Sequence, residues 1–223
     1  MSRLFDFYNY FARSYLFSKE NIDRRKWEFG LLEKWINGSK ILDLAGGGGV
    51  LAHVAQKKGY DVVLADLAFE LVTSSEVDKK ICCDAKYLPF KESSFDVILF
   101  WGNPYPHFSI IDFHMCLLEV KRVLKKGGRF ITAVFDFVKL GVERNYKMRL
   151  DEGDHYSIQK SFDPLTLKVE RQFVSRDRGI VSNFEFYLWS PAFVEACARI
   201  VGLRRLEART YYEDKSWLIV YEK

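Results

Sequence analysis

The chain has 223 residues, a length typical of one large domain or of a domain with an insertion. Hydrophobic residues make up 48% and charged residues 29%, which excludes global disorder because there is enough apolar material for a core. The formal net charge is only +4, so a broad nucleic-acid-binding surface is not expected. The basic run Arg24-Arg25-Lys26 is typical of a solvated helix face.

The cysteines argue for a reducing compartment. The chain has four, Cys82, Cys83, Cys116 and Cys197, and none forms a C-x-x-C pair. We therefore expect neither a disulfide framework nor a bound metal. The N-terminus does not resemble a signal peptide, and no apolar run approaches the ~18 residues that span a bilayer. The sequence predicts a cytoplasmic protein that does not associate with membranes.

The first part of the chain alternates between helical and strand patterns. Short apolar runs of strand length, helical spacing and glycine stops predict strands at 40–45, 61–66, 80–84, 95–101 and 129–135, and helices at 21–37, 50–58 and 110–125. Continuous apolar strands that alternate with helices indicate a parallel sheet covered on both faces.

The pattern changes after residue 136. Alternating segments at 167–173 and 184–189 predict antiparallel strands with one wet face. A helix beginning after Ser190, and strands at 203–210 and 217–221, then close the chain. We expect an α/β fold: a doubly wound, seven-stranded, mostly parallel sheet with helices on both faces and a small antiparallel insertion after strand five. The predicted divisions are an N-terminal helical cap (1–38), a cofactor-binding core (39–136), the insertion (137–189) and the C-terminal helix and strand pair (190–223).

Four consecutive glycines, 46–49, join the first predicted strand to the following helix. Glycines at such a point let a ligand approach the backbone without a Cβ clash, and the helix N-terminus offers free N–H groups. Residues 47–52 also satisfy the dinucleotide pattern G-x-G-x-x-G/A, so the loop alone does not name the ligand.

Acidic residues near the ends of the first three strands narrow the choice. Asp66 suits two vicinal ribose hydroxyls, because a carboxylate only accepts hydrogen bonds. Asp84 could accept from an exocyclic adenine amine. Asp43 lies beside the glycine loop, where it suits a ligand with an ammonium group and would repel a pyrophosphate.

These segments together resemble the class I S-adenosylmethionine-dependent methyltransferases, in the branch that acts on small molecules. Residues 43–49, Asp-Leu-Ala-Gly-Gly-Gly-Gly, match the family's first motif, roughly Asp-x-Gly-x-Gly-x-Gly, with alanine in place of the first glycine. Residues 83–90 and 94–98 resemble the stretch D-A-x-x-L-P-F…F-D-x-V, and residues 119–128 resemble the motif before strand five. The resemblance covers residues 39–136.

The resemblance implies an enzyme that moves a methyl group from S-adenosyl-L-methionine to a small or medium-sized acceptor by in-line displacement. Residues 5–15 resemble the opening F/Y-D-x-x-A-x-x-Y of the same branch, which commonly lies over the cofactor. The cofactor-binding residues expected from these matches are Tyr15, Asp43, Ala45, Gly46, Gly47, Gly49, Asp66, Leu67, Asp84, Ala85 and Trp101.

Other functions stay open at this point. Methylation of a protein or RNA site would need a basic, open rim around the cleft, which the near balance of charge disfavours. A nicotinamide-dependent oxidoreductase fits the glycine pattern but not Asp43. A non-catalytic cofactor-binding protein would keep the same glycines and acids without the chemistry.

The segment 100–108 follows the fourth strand, and ligands of open α/β sheets bind beyond the carboxyl ends of strands. Its part Asn103-Pro-Tyr-Pro resembles the N-P-P-Y motif of methyltransferases that act on planar amines, with the second proline displaced. The other interpretation is a proline-stiffened loop that shapes the pocket wall. The candidates for a catalytic role are His107, whose imidazole titrates near working pH, Asn103 and Asp136.

Residues 137–189 are too many for an ordinary connection, and their alternating, ring-rich segments need a buried face. One interpretation is a lid over the cleft, with some of Tyr146, Tyr156, Phe184, Phe186 and Trp189 lining the acceptor pocket. The other is an interface with a second copy of the chain, which would make the protein a homodimer. The sequence favours the lid.

Overall fold

The computed structural model describes residues 18–143, 147–153, 155–176, 179, 181–212 and 215–223. Helices in these residues are α1 (Lys19–Leu32), α2 (Val50–Lys57), α3 (Phe69–Ser74), α4 (Ile110–Val123), α5 (Phe137–Val142) and α6 (Pro191–Ile200), with 3-10 turns at Glu33–Trp35 and Tyr105–His107. Strands are β1 (Lys40–Leu44), β2 (Asp61–Asp66), β3 (Lys79–Cys82), β4 (Phe95–Phe100), β5 (Leu124–Phe135), β6 (Arg149–Glu152), β7 (His155–Asp163), β8 (Lys168–Ser175), β9 (Val181–Tyr187), β10 (Arg204–Tyr212) and β11 (Ser216–Glu222).

The larger sheet has seven strands in the order β10-β11-β5-β4-β1-β2-β3. Strands β5, β4, β1, β2 and β3 run parallel to one another. On the β5 side, β11 pairs antiparallel with β5, and β10 pairs antiparallel with β11. The predicted fold class is therefore confirmed. The strand order reverses between β1 and β4, which is where open α/β sheets bind their ligands.

Alternation along β1 decides which layer each side chain joins, since successive side chains point to opposite faces of a sheet. Leu42 and Leu44 belong to a buried cluster with residues of α4 and α6. Ile41 belongs to the opposite cluster, with residues of α1 and α2. Asp43 lies between the two leucines, so its carboxylate points to the face that α1 and α2 cover.

A second sheet contains four antiparallel strands in the order β6-β7-β8-β9, as predicted for the insertion. Along β8 the residues Val169, Arg171, Phe173 and Ser175 are buried, and those between them are partly exposed. The sheet joins the main body beside the carboxyl ends of β4 and β5. There the Phe137 N–H donates to the Trp189 carbonyl at 3.1 Å, and Trp189 Nε1 donates to the Phe108 carbonyl at 3.0 Å.

Two predicted strand boundaries are wrong. Strand β5 begins at Leu124 rather than residue 129, because Leu124 pairs with Phe95 of β4 and an irregularity at residues 125–128 of β5 precedes the pair Arg129 and Val97. Gly127 adopts φ +72° there, and its N–H donates to the Lys223 carbonyl. Strand β3 ends at Cys82, so Asp84 lies in the loop that follows.

Two residues named in the sequence predictions, Tyr15 and Tyr146, lie outside the described residues.

All four cysteines are free thiols. Within the described residues, His, Cys, Asp and Glu side chains form no cluster that could hold a metal ion. No helix of the described chain is long and apolar enough to cross a membrane.

Candidate functional site

The glycine loop connects β1 to α2 at the point where the strand order reverses. Ala45, Gly47 and Gly49 have φ values of +55°, +58° and +75°, a region that side chains with a Cβ rarely adopt. Gly46 is required for a different reason. A Cβ at Gly46 would lie 2.5 Å from Asp43 Oδ2, so glycine here leaves the space beside that carboxylate open.

Asp43 is a buried carboxylate beside the glycine loop. Its side chain is 1% exposed, and neither carboxylate oxygen has a hydrogen-bond partner. Burial raises its pKa to about 7, although the positive charge of Arg25 works in the opposite direction. The Ala52 amide, in the first turn of α2, also favours the charged form without reaching hydrogen-bond geometry. A buried carboxylate without a partner is costly, and a bound cation would compensate for it.

Asp66 holds the glycine loop in place. One carboxylate oxygen accepts from the Gly47 N–H at 2.7 Å, and the other accepts from the Ala68 N–H at 2.8 Å. Burial raises the pKa of this carboxyl, and these backbone N–H groups oppose the shift. Each oxygen keeps a lone pair for a further donor.

Asp84 lies further along the same edge of the sheet. It accepts from the Lys86 N–H at 2.9 Å, and Lys86 Nζ forms an ion pair with Asp112 at the start of α4. Ala85 is buried, whereas Leu67 is half-exposed. The predicted residues from Asp43 to Ala85 therefore lie along one edge of the sheet, at the carboxyl ends of β1, β2 and β3.

A pocket of about 300 Å³, including its open mouth, lies against the glycine loop. Its walls come from β1, the loop, the start of α2, the end of β4 and α1, through Asn21, Arg25, Asp43, Gly46, Val50, Leu51 and Trp101. Three of these residues, Asp43, Gly46 and Trp101, were predicted from the sequence. The pocket thus contains one buried acid and one arginine on facing elements.

Glu28 joins the two sides of this pocket. It is 6% exposed, and its Oε2 accepts from Arg25 NH1 at 2.5 Å and from Trp101 Nε1 at 2.9 Å. Trp101 also contacts Tyr211 of β10, with ring centroids 5.2 Å apart. Helix α1 is therefore fixed to the end of β4 by a buried carboxylate.

The loop after β4 contains the segment Asn103-Pro-Tyr-Pro, which was compared above with a motif for amino-group recognition. Asn103 and Tyr105 hold this loop in place. Asn103 adopts φ +61°, and its Oδ1 accepts from the Phe135 N–H at 3.2 Å. Tyr105 is fully buried, and its hydroxyl lies 2.6 Å from Thr132 Oγ1. These contacts support the interpretation of a loop that shapes the pocket wall.

The two other catalytic candidates lie at the same edge. His107 lies in the 3-10 turn after β4, where burial lowers the pKa of its imidazole to about 4, so the expectation that it titrates near working pH is wrong. Asp136 caps α5, where its Oδ1 accepts from the Lys139 N–H at 3.0 Å. Asp136 thus has a structural partner, and neither residue lines the pocket beside the glycine loop.

Sequence reasoning missed the contribution of α1. The solvated-face interpretation is wrong for Arg25, whose side chain is only 19% exposed. A signal was present, because Asn21, Arg25, Phe29 and Leu32 recur at intervals of four, four and three, which places them on one helix face. Polar residues that continue an apolar stripe indicate a buried polar site.

Comparison with known proteins identifies the domain. Residues 42–132 match the family model of a methyltransferase domain. A demethylmenaquinone methyltransferase from Corynebacterium urealyticum is 35% identical over 100 residues, which are 44% of this chain and 42% of that protein. A ubiquinone/menaquinone biosynthesis C-methyltransferase from Cellvibrio japonicus is 32% identical over 111 residues, 44% of this chain and 43% of that protein. The chain thus matches less than half the length of these curated relatives.

Solved structures match over a greater length. A Pyrococcus horikoshii protein covers 97% of this chain and 98% of its own, with a TM-score of 0.78 and 23% identity. An S-adenosylmethionine-dependent methyltransferase from Clostridium acetobutylicum covers 96% and 98%, with a TM-score of 0.73 and 21% identity. At these identities the likeness shows the fold. The match of residues 42–132 to a methyltransferase domain, together with this fold, confirms the resemblance predicted from the sequence.

The loop glycines make a first testable prediction. A Cβ at Gly49 would meet Leu64 Cδ2 at 2.7 Å and Ser75 Oγ at 2.8 Å, whereas at Gly47 the nearest atom would be 3.7 Å away. Gly49→Ala should therefore lower the free energy of unfolding by about 3 kcal/mol, and Gly47→Ala by only about 1 kcal/mol from its positive φ. Urea denaturation measures both values. Equal losses would contradict this difference in packing.

The buried carboxylate between α1 and β4 makes a second prediction. Glu28→Ala leaves Trp101 Nε1 and Arg25 without their acceptor and should cost about 3 kcal/mol in unfolding free energy. The matched control is Glu33→Ala, since Glu33 forms an exposed ion pair with Lys58 at 2.7 Å and should cost less than about 1 kcal/mol. If thermal and urea denaturation show equally small losses, Glu28 does not fix α1 to the sheet.

Proposed function

We propose that this protein is an S-adenosylmethionine-dependent methyltransferase that acts on a small-molecule acceptor. The observation that carries the proposal is Asp43, a buried carboxylate with no hydrogen-bond partner, beside a glycine loop whose backbone is open to a ligand. An ammonium group of the cofactor's amino-acid portion would satisfy that carboxylate. The pyrophosphate of a nicotinamide dinucleotide would be repelled by it.

The other residues of this edge fit the rest of the cofactor. Asp66 has unused lone pairs beside the loop and suits the ribose hydroxyls, and Asp84 suits the adenine amine. Leu67 and Ala85 would contact the adenine ring, and Trp101 forms the wall towards the acceptor. Ala45, Gly46, Gly47 and Gly49 provide the backbone surface, and Tyr15 is proposed to cover the site from the N-terminal segment.

When bound, the cofactor supplies a methyl group made electrophilic by its sulfonium. The protein's contribution is to hold donor and acceptor in line and to keep water out. Asp43 and Asp66 fix the donor through charge and hydrogen bonds, and the Glu28–Trp101 contact keeps the wall of the pocket in place. His107 and Asp136 stay proposals for a base, to be used where the acceptor must lose a proton.

The acceptor is proposed to bind between the loop after β4 and the small antiparallel sheet. That sheet begins and ends at the carboxyl edge, where Phe137 and Phe186 lie with ring centroids 6.0 Å apart. The names of the matched relatives refer to menaquinone and ubiquinone biosynthesis, which supports a small-molecule acceptor rather than a protein or RNA. We propose a lid role for residues 137–189, with homodimer contacts as the other interpretation. Incubation of separate small-molecule, protein and RNA fractions with labelled donor tests the acceptor class, and label confined to protein or RNA would contradict it.

Removal of the Asp66 carboxylate should weaken cofactor binding roughly ten- to a hundredfold, since a charged hydrogen bond is worth ~1.5–3 kcal/mol. Calorimetry of Asp66→Ala with S-adenosylhomocysteine measures this loss. Asp61→Ala is the matched control, because Asp61 begins the same strand and pairs with Lys79 away from the loop. If the wild-type protein binds reduced nicotinamide dinucleotide and not S-adenosylhomocysteine, the proposed function is wrong.

Cofactor affinity should rise with pH through the pKa of Asp43. The free protein holds that carboxyl partly protonated near pH 7, and an ammonium ligand binds the ionised form. From pH 6 to pH 8 the affinity for S-adenosylhomocysteine should rise about tenfold. Asp43→Asn should bind more weakly and lose this slope; an unchanged slope would assign the titration to another group.

The raised pKa of Asp43 also means that the stability of the ligand-free protein should fall as the pH rises. Because the folded pKa lies above the unfolded value of 3.8, the folded state binds more protons between about pH 4 and pH 7. The contribution of Asp43 to stability is therefore present at low pH and lost as the pH rises through about 7. Denaturation of wild type and Asp43→Asn across this range provides an independent check of the shift.

A further inference from the structure

We propose that Glu119 and Arg122 of α4 are positioning residues for recognition of the cofactor's base, because they hold the loop that carries Asp84. This inference rests on the proposed function, in which Asp84 accepts from the adenine amine. It extends that function to two side chains outside the pocket beside the glycine loop. Its consequence is selectivity: the site distinguishes adenine from a purine without the exocyclic amine only while the pair holds the loop.

The loop between β3 and β4 has no helix or strand to fix its shape. Cys82 ends β3 and Phe95 begins β4, so residues 83–94 connect the two strands. Within this loop, the Tyr87 N–H donates to the Asp84 carbonyl at 2.9 Å. Other backbone groups of the loop need partners from elsewhere, since a buried N–H or C=O without a hydrogen bond is costly.

Glu119 and Arg122 supply such partners at the far end of the loop. Arg122 Nη1 donates to the Phe90 carbonyl at 2.7 Å, and Nη2 donates to the Leu88 carbonyl at 2.9 Å. Glu119 Oε2 accepts from the Leu88 N–H at 2.8 Å. The two side chains also fix each other in two-pronged geometry, with Arg122 Nε 2.7 Å from Glu119 Oε1 and Nη2 2.6 Å from Oε2. Both backbone groups of Leu88 are therefore held by one ion pair.

A second contact from α4 holds the near end of the loop, at Asp84 itself. Lys86 Nζ donates to Asp112 Oδ1 at 2.9 Å and lies 3.7 Å from Asp84 Oδ2. The Lys86 N–H also donates to Asp84 Oδ1 at 2.9 Å. Asp112 and Glu119 lie about two helical turns apart on α4, so one helix supports the loop at both ends.

These contacts matter because apolar packing does not fix the position of the loop. Ala85 and Leu88 are buried in the cluster that includes residues of α4, but such packing is non-directional. A hydrogen bond from the adenine amine to Asp84 needs a heavy-atom distance of about 3 Å, so a displacement of about 1 Å would break it. Asp66 and Asp43 lie on β2 and β1, and their contacts with the rest of the cofactor would persist.

Calorimetry with two ligands tests the proposal. S-adenosylhomocysteine carries the exocyclic amine, whereas S-inosylhomocysteine carries in its place a carbonyl oxygen, which offers Asp84 no donor. The wild-type protein should bind the adenine compound at least about tenfold more tightly, as expected for one charged hydrogen bond. Arg122→Met should weaken binding of S-adenosylhomocysteine about tenfold and change that of S-inosylhomocysteine less than about twofold.

Further variants identify the route of the effect. Asp84→Ala should abolish the preference for adenine, and adding Arg122→Met to it should leave the ratio of the two affinities unchanged, because the pair acts through Asp84. Arg199→Met is the matched control, since Arg199 forms the same kind of ion pair with Glu195 within α6, at 2.6 Å, and should bind both ligands as wild type does.

Glu119→Gln keeps an acceptor for the Leu88 N–H but loses the charge that fixes Arg122. A smaller loss, confined to S-adenosylhomocysteine, is expected, and this variant serves if Arg122→Met fails to fold.

The outcomes separate this inference from the proposed function. Equal losses for the two ligands in Arg122→Met would make the pair a general structural contact, and no loss would remove it from base recognition. Equal wild-type affinity for the two ligands would remove Asp84 from that role as well. Each of these results overturns the inference while the proposed function stands. If the wild-type protein binds neither ligand, the proposed function fails and the inference fails with it.

Discussion

The buried carboxylate of Asp43 is the interaction on which the geometry of this site depends. It lies in β1, an interior strand of the sheet, between two leucines that face the opposite layer, and it is enclosed without a hydrogen-bond partner. Burial of a charge in this way is among the more expensive features a fold can carry. The surrounding residues follow from it: Gly46 leaves room at the carboxylate, and Arg25 reduces the electrostatic cost from across the pocket.

The glycine loop and the acids act as one unit because Asp66 both anchors the loop and faces the ligand. Its hydrogen bond to the Gly47 N–H fixes the loop before any ligand arrives, so part of the ordering cost is met during folding. Ala45 shows the cost of the same geometry, since it adopts φ +55° with a Cβ where the family motif has glycine. The rest of the fold stabilises this strained loop conformation, so the ligand does not have to induce it on binding.

The sheet and its edge could be predicted from the sequence because they depend on local patterns. Apolar runs, glycine stops and the acids at strand ends gave the strand positions, apart from the irregular segment that moved the start of β5 to Leu124. The contribution of α1 was missed, although its helical spacing carried a signal. Arg25 belongs to a basic run that resembles a solvated surface, and only the tertiary contact between Glu28 and Trp101, 73 residues apart, turns it towards the pocket. The role of the small sheet depends likewise on which face other parts of the chain cover.

The connection between α1 and the sheet gives the site a physical reason to respond to its ligand. In the free protein, burial raises the pKa of the Asp43 carboxyl to about 7, and Arg25 is held by Glu28. A ligand that carries an ammonium group would give the Asp43 carboxylate the direct partner that it lacks in the free protein. A ligand without a positive group would leave that carboxylate uncompensated, so discrimination among adenosine compounds would depend on the pocket's electrostatics as well as on its shape.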